Sequence, residues 1–183
     1  VFEMLSKAVR DWYNPVTVAI TGSMGKTTAK ELTTKVFETN FQTLCAKGNN
    51  NAIYQIGNLL QGLEQDDEAY IQEVHGGTLG TAACVSRVIS PDICIVTNIV
   101  KNHISQIGSV ENLIANKLAI AEGMKPDGVL ILCDDNEYLK EAKPDVRTIR
   151  YSMEHTDAHY YAQNIVREVL EEILPYMNIF KDE

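Results

Sequence analysis

A chain of 183 residues, 45% hydrophobic and 22% charged, has the size and balance of one soluble globular domain. Its net charge of −9 excludes a protein built to hold a polyanion, because phosphate-backbone binding needs a clustered basic surface, so no nucleic-acid partner is expected. No apolar stretch is long enough for a membrane span, and Glu3 and Asp11 stand in a helical pattern where an export signal would be basic and then apolar. The expectation is a cytoplasmic protein.

In chain order, helix-period and strand-like segments alternate. A helix over 2–13 precedes a strand over 16–21 (VTVAIT). A helix over 27–38, a strand over 41–46 and a helix over 53–61 follow. Next come a strand over 69–74 (AYIQEV), a helix over 79–89 and a strand over 92–98 (DICIVTN). The last pairs are a helix over 109–122 with a strand over 128–133 (GVLILC), and a helix over 136–142 with a strand over 147–151. Pro91, Pro126 and Pro144 stand just before three of the strands, where proline ends a helix and starts a turn. Past Tyr151 a polar stretch, SMEHTDAHYYAQN, leads to Val166, Val169, Leu170, Ile173, Leu174 and Met177, spaced as one face of a final helix. Cys45, Cys84, Cys94 and Cys133 show no metal-ligand spacing and read as reduced core thiols. The acidic run over 64–68 reads as a solvated loop.

The most informative segment is Thr21-Gly22-Ser23-Met24-Gly25-Lys26-Thr27-Thr28, which leaves the first strand and opens a helix. Gly22 and Gly25 allow the backbone to curl so that N–H groups from Gly22 to Thr28, those of Ser23 and Met24 included, point at phosphate oxygens; the helix N-terminus adds partial positive charge. Lys26 supplies a mobile charge for the β- and γ-phosphates, and the Thr27 hydroxyl is a candidate Mg²⁺ ligand. The general phosphate-loop pattern asks for glycine at position 20, where this chain has Ile20, so the loop is a variant. The expected fold is α/β: a three-layer, P-loop NTPase-like, mostly parallel sheet with helices on both faces.

In such a sheet, ligands collect at the carboxyl ends of the strands. Polar residues that end the other strands are therefore the ones able to meet the phosphate loop. Glu73 ends the third strand and is a candidate metal ligand. Asn98 ends the fourth, with His103 a few residues on as a candidate ligand for a second metal. Asp134, Asp135 and Asn136 end the fifth.

Spaced motifs then match a family in order. T-G-S-x-G-K-T-T-x-K-E is Thr21 to Glu31, P-D-x-x-x-x-T-N-I-x-x-x-H is Pro91 to His103, K-x-x-I-x-E-G is Lys117 to Gly123, and A-x-N-I is Ala162 to Ile165. Over roughly 15–165 the chain resembles the central ATP-binding domain of the Mur ligases, particularly the type that adds D-alanyl-D-alanine to the muramyl peptide. The resemblance implies ATP phosphates on Gly22 to Thr28, Mg²⁺ on Thr27 and Glu73, and a second Mg²⁺ on His103 and Lys117. It further implies that Lys117 is carbamylated, which turns a repelling ammonium into a metal-binding carbamate. Asp135 and Asn136 correspond to adenine-side residues, and Lys26, Lys117 and His103 to the catalytic set.

The activity implied is amide-bond formation through an acyl phosphate in peptidoglycan precursor synthesis. The domain then covers 1–165, with an amphipathic helix over 166–183. A muramyl-peptide substrate and N- and C-terminal ligase domains, or a partner supplying them, are also implied. The chain departs from the family pattern at His75, where a small residue is usual, and in Gly48-Asn49-Asn50-Asn51, which lacks the following proline of the acceptor region. Two other readings stay open: a nucleotide-binding regulatory or scaffolding module that has lost ligation, and a folylpolyglutamate- or cyanophycin-type ligase.

Overall fold

The computed structural model describes residues 1–48, 50–101 and 107–163. Helix α1 (Phe2–Tyr13) turns through Asn14 into β1 (Val16–Thr21), followed by α2 (Lys26–Phe37), β2 (Thr43–Cys45), α3 (Ile53–Leu60) and β3 (Ala69–Glu73). The second half contains α4 (Thr81–Ile89), β4 (Ile93–Val96), α5 (Val110–Leu118) with a 3₁₀ turn over Ala119–Ala121, and β5 (Val129–Cys133). It closes with α6 (Glu137–Lys140), β6 (Thr148–Ser152) and β7 (Tyr160–Tyr161). The strands form one seven-stranded sheet in the order β2-β3-β1-β4-β5-β6-β7, and every pairing is parallel.

The layers follow from which side chains each strand sends to each face. Ala19, Tyr70, Cys94, Val96, Leu130 and Leu132 pack under α3, α4 and α5 in the larger core, which Val9 of α1 also joins. Val18, Ile20 and Ile71 point the other way, against Ala29 and Phe37 of α2. The expected three-layer α/β sheet is therefore present, with α2 on one face and the other long helices opposite. Near-continuous burial along β1 and β3 matches their unbroken apolar runs, as expected of parallel strands covered on both sides.

Most elements shift from the expected bounds by one or two residues, and three differences have visible reasons. The second strand shrinks to Thr43–Cys45 because the Phe41 N–H still bonds to the Phe37 carbonyl, in the last turn of α2. The helix expected over 109–122 tightens to 3₁₀ after Leu118, where the Ile120 carbonyl is taken by the Ser86 hydroxyl and the Cys94 thiol. Strand β7 lies in the stretch read as merely polar; two exposed tyrosines give no alternation to detect. All four cysteines are free, but only Cys94 is fully buried. The helix expected over 166–183 lies outside the described residues, as does His103.

Strand order reverses direction at β1: the chain moves out to β2 and β3 on one side and to β4 and onward on the other. The register sets Ile20 beside Glu73 and Thr21 beside Val96. The loop after β1 thus emerges between the end of β3 and the end of β4.

Candidate active site

The phosphate loop is tied to the end of β4. Ser23 N–H donates to the Asn98 carbonyl at 2.9 Å, and Met24 N–H donates to Asn98 Oδ1 at 2.9 Å. The Met24 carbonyl accepts from Thr97 Oγ1 at 2.8 Å and from Asn98 Nδ2 at 3.2 Å. Gly22 sits in this clamp with φ +151°, and a Cβ there would lie 2.0 Å from Thr97 Oγ1. The sequence counted the Ser23 and Met24 N–H groups among those facing phosphate; the structure engages both with Asn98. What remains is the start of α2. Its N-cap, Gly25, has φ 74° and no side-chain cap, and the first helical bond runs from Ala29 N–H to the Gly25 carbonyl. The N–H groups of Lys26, Thr27 and Thr28 precede that bond, so this uncapped turn presents the donors and partial positive charge suited to an anion.

A carboxylate lies beside that turn. Glu73 is 3% exposed; its Oε2 accepts from Thr27 Oγ1 at 2.8 Å and its Oε1 from Asn51 Nδ2 at 3.2 Å. Among the described residues Glu73 has no ion-pair partner. A buried carboxylate without a countercharge is costly, and two hard oxygens side by side match what a small divalent cation takes. The donor set therefore fits Mg²⁺. Asn51 was legible only as part of an asparagine run. It is positioned by the loop that Lys30 holds: that buried lysine donates to the carbonyls of Ala46 and Gly48 at 2.7 and 2.6 Å.

Lys117, on α5, reaches the loop from the opposite side. It is 3% exposed and its Nζ donates to the Gly22 carbonyl at 2.9 Å. Burial, with help from the charge on Lys26, pulls its ammonium down to about 8 from 10.5. Gly76 permits the approach, since a Cβ there would stand 3.0 Å from Lys117 Nζ. The neighbouring Asn116, which the sequence did not single out, fixes this edge by donating to the Gly76 and Thr78 carbonyls at 3.0 and 3.1 Å and accepting from Gly80 N–H at 2.8 Å. Gly22, Ser23, Lys26, His75, Gly76 and Lys117 line one small cleft. Lys26 Nζ rests 3.3 Å from the Ser23 carbonyl. His75 stands exposed at this cleft, where the family's small residue was expected.

Asp135 and Asn136 are in different circumstances. Asp135 accepts from the Ser152 hydroxyl and, at 2.7 Å, from Met153 N–H; burial pushes its carboxyl up, and the bonds to Met153 and Ser152 outweigh that and hold it below the usual range. Asn136 caps α6 and donates to the Ile99 carbonyl at 2.9 Å. Both side chains pin loops at the carboxyl edge. Asp135, Glu154 and His155 bring ligand atoms within 4.8 Å of one another, and the bonds to Ser152 and Met153 make that group a loop anchor. No described helix is long and apolar enough to cross a membrane.

Comparison with known proteins agrees with this geometry. The model of the Mur ligase middle domain matches residues 20–177. The UDP-N-acetylmuramoyl-tripeptide–D-alanyl-D-alanine ligase of Bacillus subtilis is 31% identical over 140 residues, which cover 76% of this chain and 31% of that protein. Its Escherichia coli counterpart is 29% identical over 168 residues, 90% of this chain and 37% of that protein. The chain thus spans about a third of the length of these relatives. Among solved structures, MurF from Acinetobacter baumannii superposes with a TM-score of 0.82 at 22% identity, covering 90% of this chain and 37% of that one. MurF from Thermotoga maritima in complex with ADP gives 0.77 at 22% identity, covering 84% and 36%; at these identities the likeness is one of fold. A family model that takes in most of the chain, phosphate loop to last strand, decides membership: this chain belongs to the Mur ligase middle-domain family.

Proposed function

We propose that this chain is the ATP-binding middle module of a ligase that joins a carboxylate to an amine through an acyl phosphate, in peptidoglycan precursor synthesis. The observation that carries it is the meeting of an uncapped helix N-terminus, Lys26, the Thr27–Glu73 pair and Lys117 at one edge of the sheet. The relatives' names supply the reaction class, and the ADP complex of the Thermotoga protein supports the nucleotide.

In the proposed reaction a carboxylate oxygen of the acceptor attacks the γ-phosphorus, and the bond to the ADP oxygen breaks. An amine then attacks the acyl carbon, phosphate leaves and the amine loses a proton. The chain's own groups act by charge and position. The first turn of α2 and Lys26 hold the β- and γ-phosphate oxygens, and Thr27 with Glu73 would hold Mg²⁺, which neutralises charge on the transferring phosphoryl group. Lys117, with its lowered pKa, has an appreciable neutral fraction near neutral pH. A neutral amine is the form that adds CO₂, and the resulting carbamate, together with His103, would hold a second Mg²⁺. Asp135 and Asn136 are assigned to the adenine side through the loops they fix.

The test is calorimetric titration of the 183-residue chain with Mg-ATP, followed by phosphate release with muramyl-peptide and D-alanyl-D-alanine. One saturable site with little turnover is expected, because aligning an acceptor with the γ-phosphate is worth about 7–11 kcal/mol and the chain spans only about a third of the relatives' length. Absence of Mg-ATP binding overturns the nucleotide assignment. Robust substrate-dependent turnover overturns the view of the chain as a module.

A further inference from the structure

The two oxygens of Glu73 are held by groups of different kinds. Oε2 accepts from the Thr27 hydroxyl at 2.8 Å and Oε1 from the Asn51 amide at 3.2 Å. A threonine hydroxyl is donor and acceptor at once, so it can turn its proton away from Glu73 and present a lone pair to a cation without moving its oxygen. An amide cannot do this. Its nitrogen only donates, and a half-turn of the group would set the amide oxygen against the carboxylate, acceptor against acceptor. Oε2 can therefore be given to a metal while Oε1 keeps its donor.

Asn51 is also fixed from both sides along the chain. The Asn50 carbonyl before it accepts from Gln72 Nε2 at 3.0 Å, and Gln72 is fully buried, its own oxygen taken by the Tyr70 hydroxyl at 2.6 Å. The Ala52 N–H after it donates to Gln55 Oε1 at 3.1 Å, and Gln55 Nε2 donates back to Asn50 Oδ1 at 3.2 Å. These bonds set the backbone of 50–52, so the Asn51 amide meets Glu73 from one direction.

We propose that Asn51 is a positioning residue of the metal site: by occupying Oε1 it leaves Glu73 a single oxygen for the cation, and so makes the site select Mg²⁺ against Ca²⁺. This rests on the reading of Thr27 and Glu73 as the residues that hold the nucleotide's metal. Mg²⁺ is small and keeps near-octahedral order, which one carboxylate oxygen beside one hydroxyl can serve. Ca²⁺ is larger, takes about six to eight oxygens and commonly uses both oxygens of one carboxylate. To reach Oε1 as well, Ca²⁺ has to displace the amide hydrogen, whose partial positive charge repels it, and break a hydrogen bond to a charged group. The loss of such a bond corresponds to about tenfold or more in affinity. Mg²⁺ on Oε2 alone leaves that bond intact.

The test is calorimetric titration of the full 183-residue chain with Mg-ATP and with Ca-ATP, in the parent and in Asn51→Ala. The parent prefers Mg-ATP, and in the variant the ratio of Mg-ATP to Ca-ATP affinity falls about tenfold, because Ca²⁺ gains the second oxygen. A side chain that only stiffened the loop would weaken both complexes by the same factor on removal. A ratio that stays the same or rises in the variant therefore overturns the proposal, as does a parent without preference for Mg-ATP. Asn51→Leu, which keeps the volume of the side chain without its donor, gives the same fall and replaces Asn51→Ala should that chain fail to fold. Failure of the underlying reading looks different: a parent that binds neither complex, or binds ATP equally well with and without divalent metal, removes the metal site and the proposal with it.

Discussion

Lys117→Met separates what this lysine does for function from what it does to stability. The unmodified ammonium is 3% exposed and its pKa is drawn from 10.5 to about 8, first by burial and then by Lys26. Because the folded value lies below the unfolded one, the unfolded chain holds more protons between those two values, and stability rises with pH across that window. Near pH 7 the lysine is charged in the unfolded state and mostly charged in the folded one, so the fold carries a penalty of about 3 kcal/mol at 1.36 kcal/mol per unit. Methionine removes that penalty and also the hydrogen bond to the Gly22 carbonyl, whose loss costs about 1–3 kcal/mol. At pH 7 the variant is thus as stable as the parent or more so, by up to about 2 kcal/mol. At pH 10 most of the penalty has gone, with less than about 1 kcal/mol remaining, and the lost hydrogen bond leaves the variant the less stable protein. The hydrogen-bond contribution drops out of the difference between the two conditions, which is about 2–3 kcal/mol. Parallel urea unfolding of both proteins at pH 7 and pH 10, with a chelator and without bicarbonate, measures it. An offset between the proteins that is the same at both pH values would refute the lowered pKa and the burial argument behind it.

Lys26→Ala is expected to abolish Mg-ATP binding in calorimetry while the unfolding midpoint moves by no more than about 0.5 kcal/mol, since the side chain is only half-buried; unchanged affinity would remove the phosphate-loop assignment. For Glu73→Gln, the dependence of ATP binding on Mg²⁺ weakens and metal-free stability holds or rises, because a buried carboxylate without a cation is replaced by a neutral amide. Unfolding of that variant would make Glu73 structural. Gly22→Ala sets a Cβ 2.0 Å from Thr97 Oγ1 at φ +151°, so a loss of about 1–3 kcal/mol and of nucleotide binding is expected. A thermal midpoint equal to the parent's would show that the clamp around Met24 is not rigid.

The layers and the edge that carries the site were legible because β1, β3, β4 and β5 are short apolar runs bounded by proline, glycine or polar residues. The phosphate loop was legible because strand, glycines, lysine and helix occur together. What the sequence hides is how each polar group is used. Asp135 and Asn136 end their strands as a binding residue would, yet their side chains bond to Ser152 and Met153, and to Ile99. Asn116 and Lys30 build the loops around the cleft; Lys30 stands in the family motif and Asn116 in none, and in neither case does the sequence tell which carbonyls the side chain holds. Strand β7 needs only two residues paired to β6, too few for any periodicity. Residue type at a strand end reports location; only the partner atom reports the role.

The same distinction explains why the proposed ligand belongs where it does. Most polar groups at the carboxyl edge are already satisfied within the fold, and a satisfied group gains little by meeting a ligand. Three features are unbalanced. The first turn of α2 has no side-chain cap, Glu73 is buried without a cation among the described residues, and Lys117 is held as an ammonium against burial and the charge of Lys26. The first calls for an anion and the second for a cation, and Thr27 joins them, its backbone in the turn and its hydroxyl on Glu73. A triphosphate alone would answer the helix and repel the carboxylate; a metal alone would answer the carboxylate and leave the helix bare. A metal–triphosphate would answer both, and the proposed conversion of Lys117 to an anionic carbamate would turn the third imbalance into another metal ligand. ATP without divalent metal is therefore expected to bind this chain much more weakly than Mg-ATP, and Glu73→Gln is expected to narrow that gap chiefly by weakening Mg-ATP. Calorimetry of both proteins with and without chelator reads the gap directly. An equal gap in parent and variant would mean that Glu73 does not meet the metal and that the carboxylate is balanced in some other way.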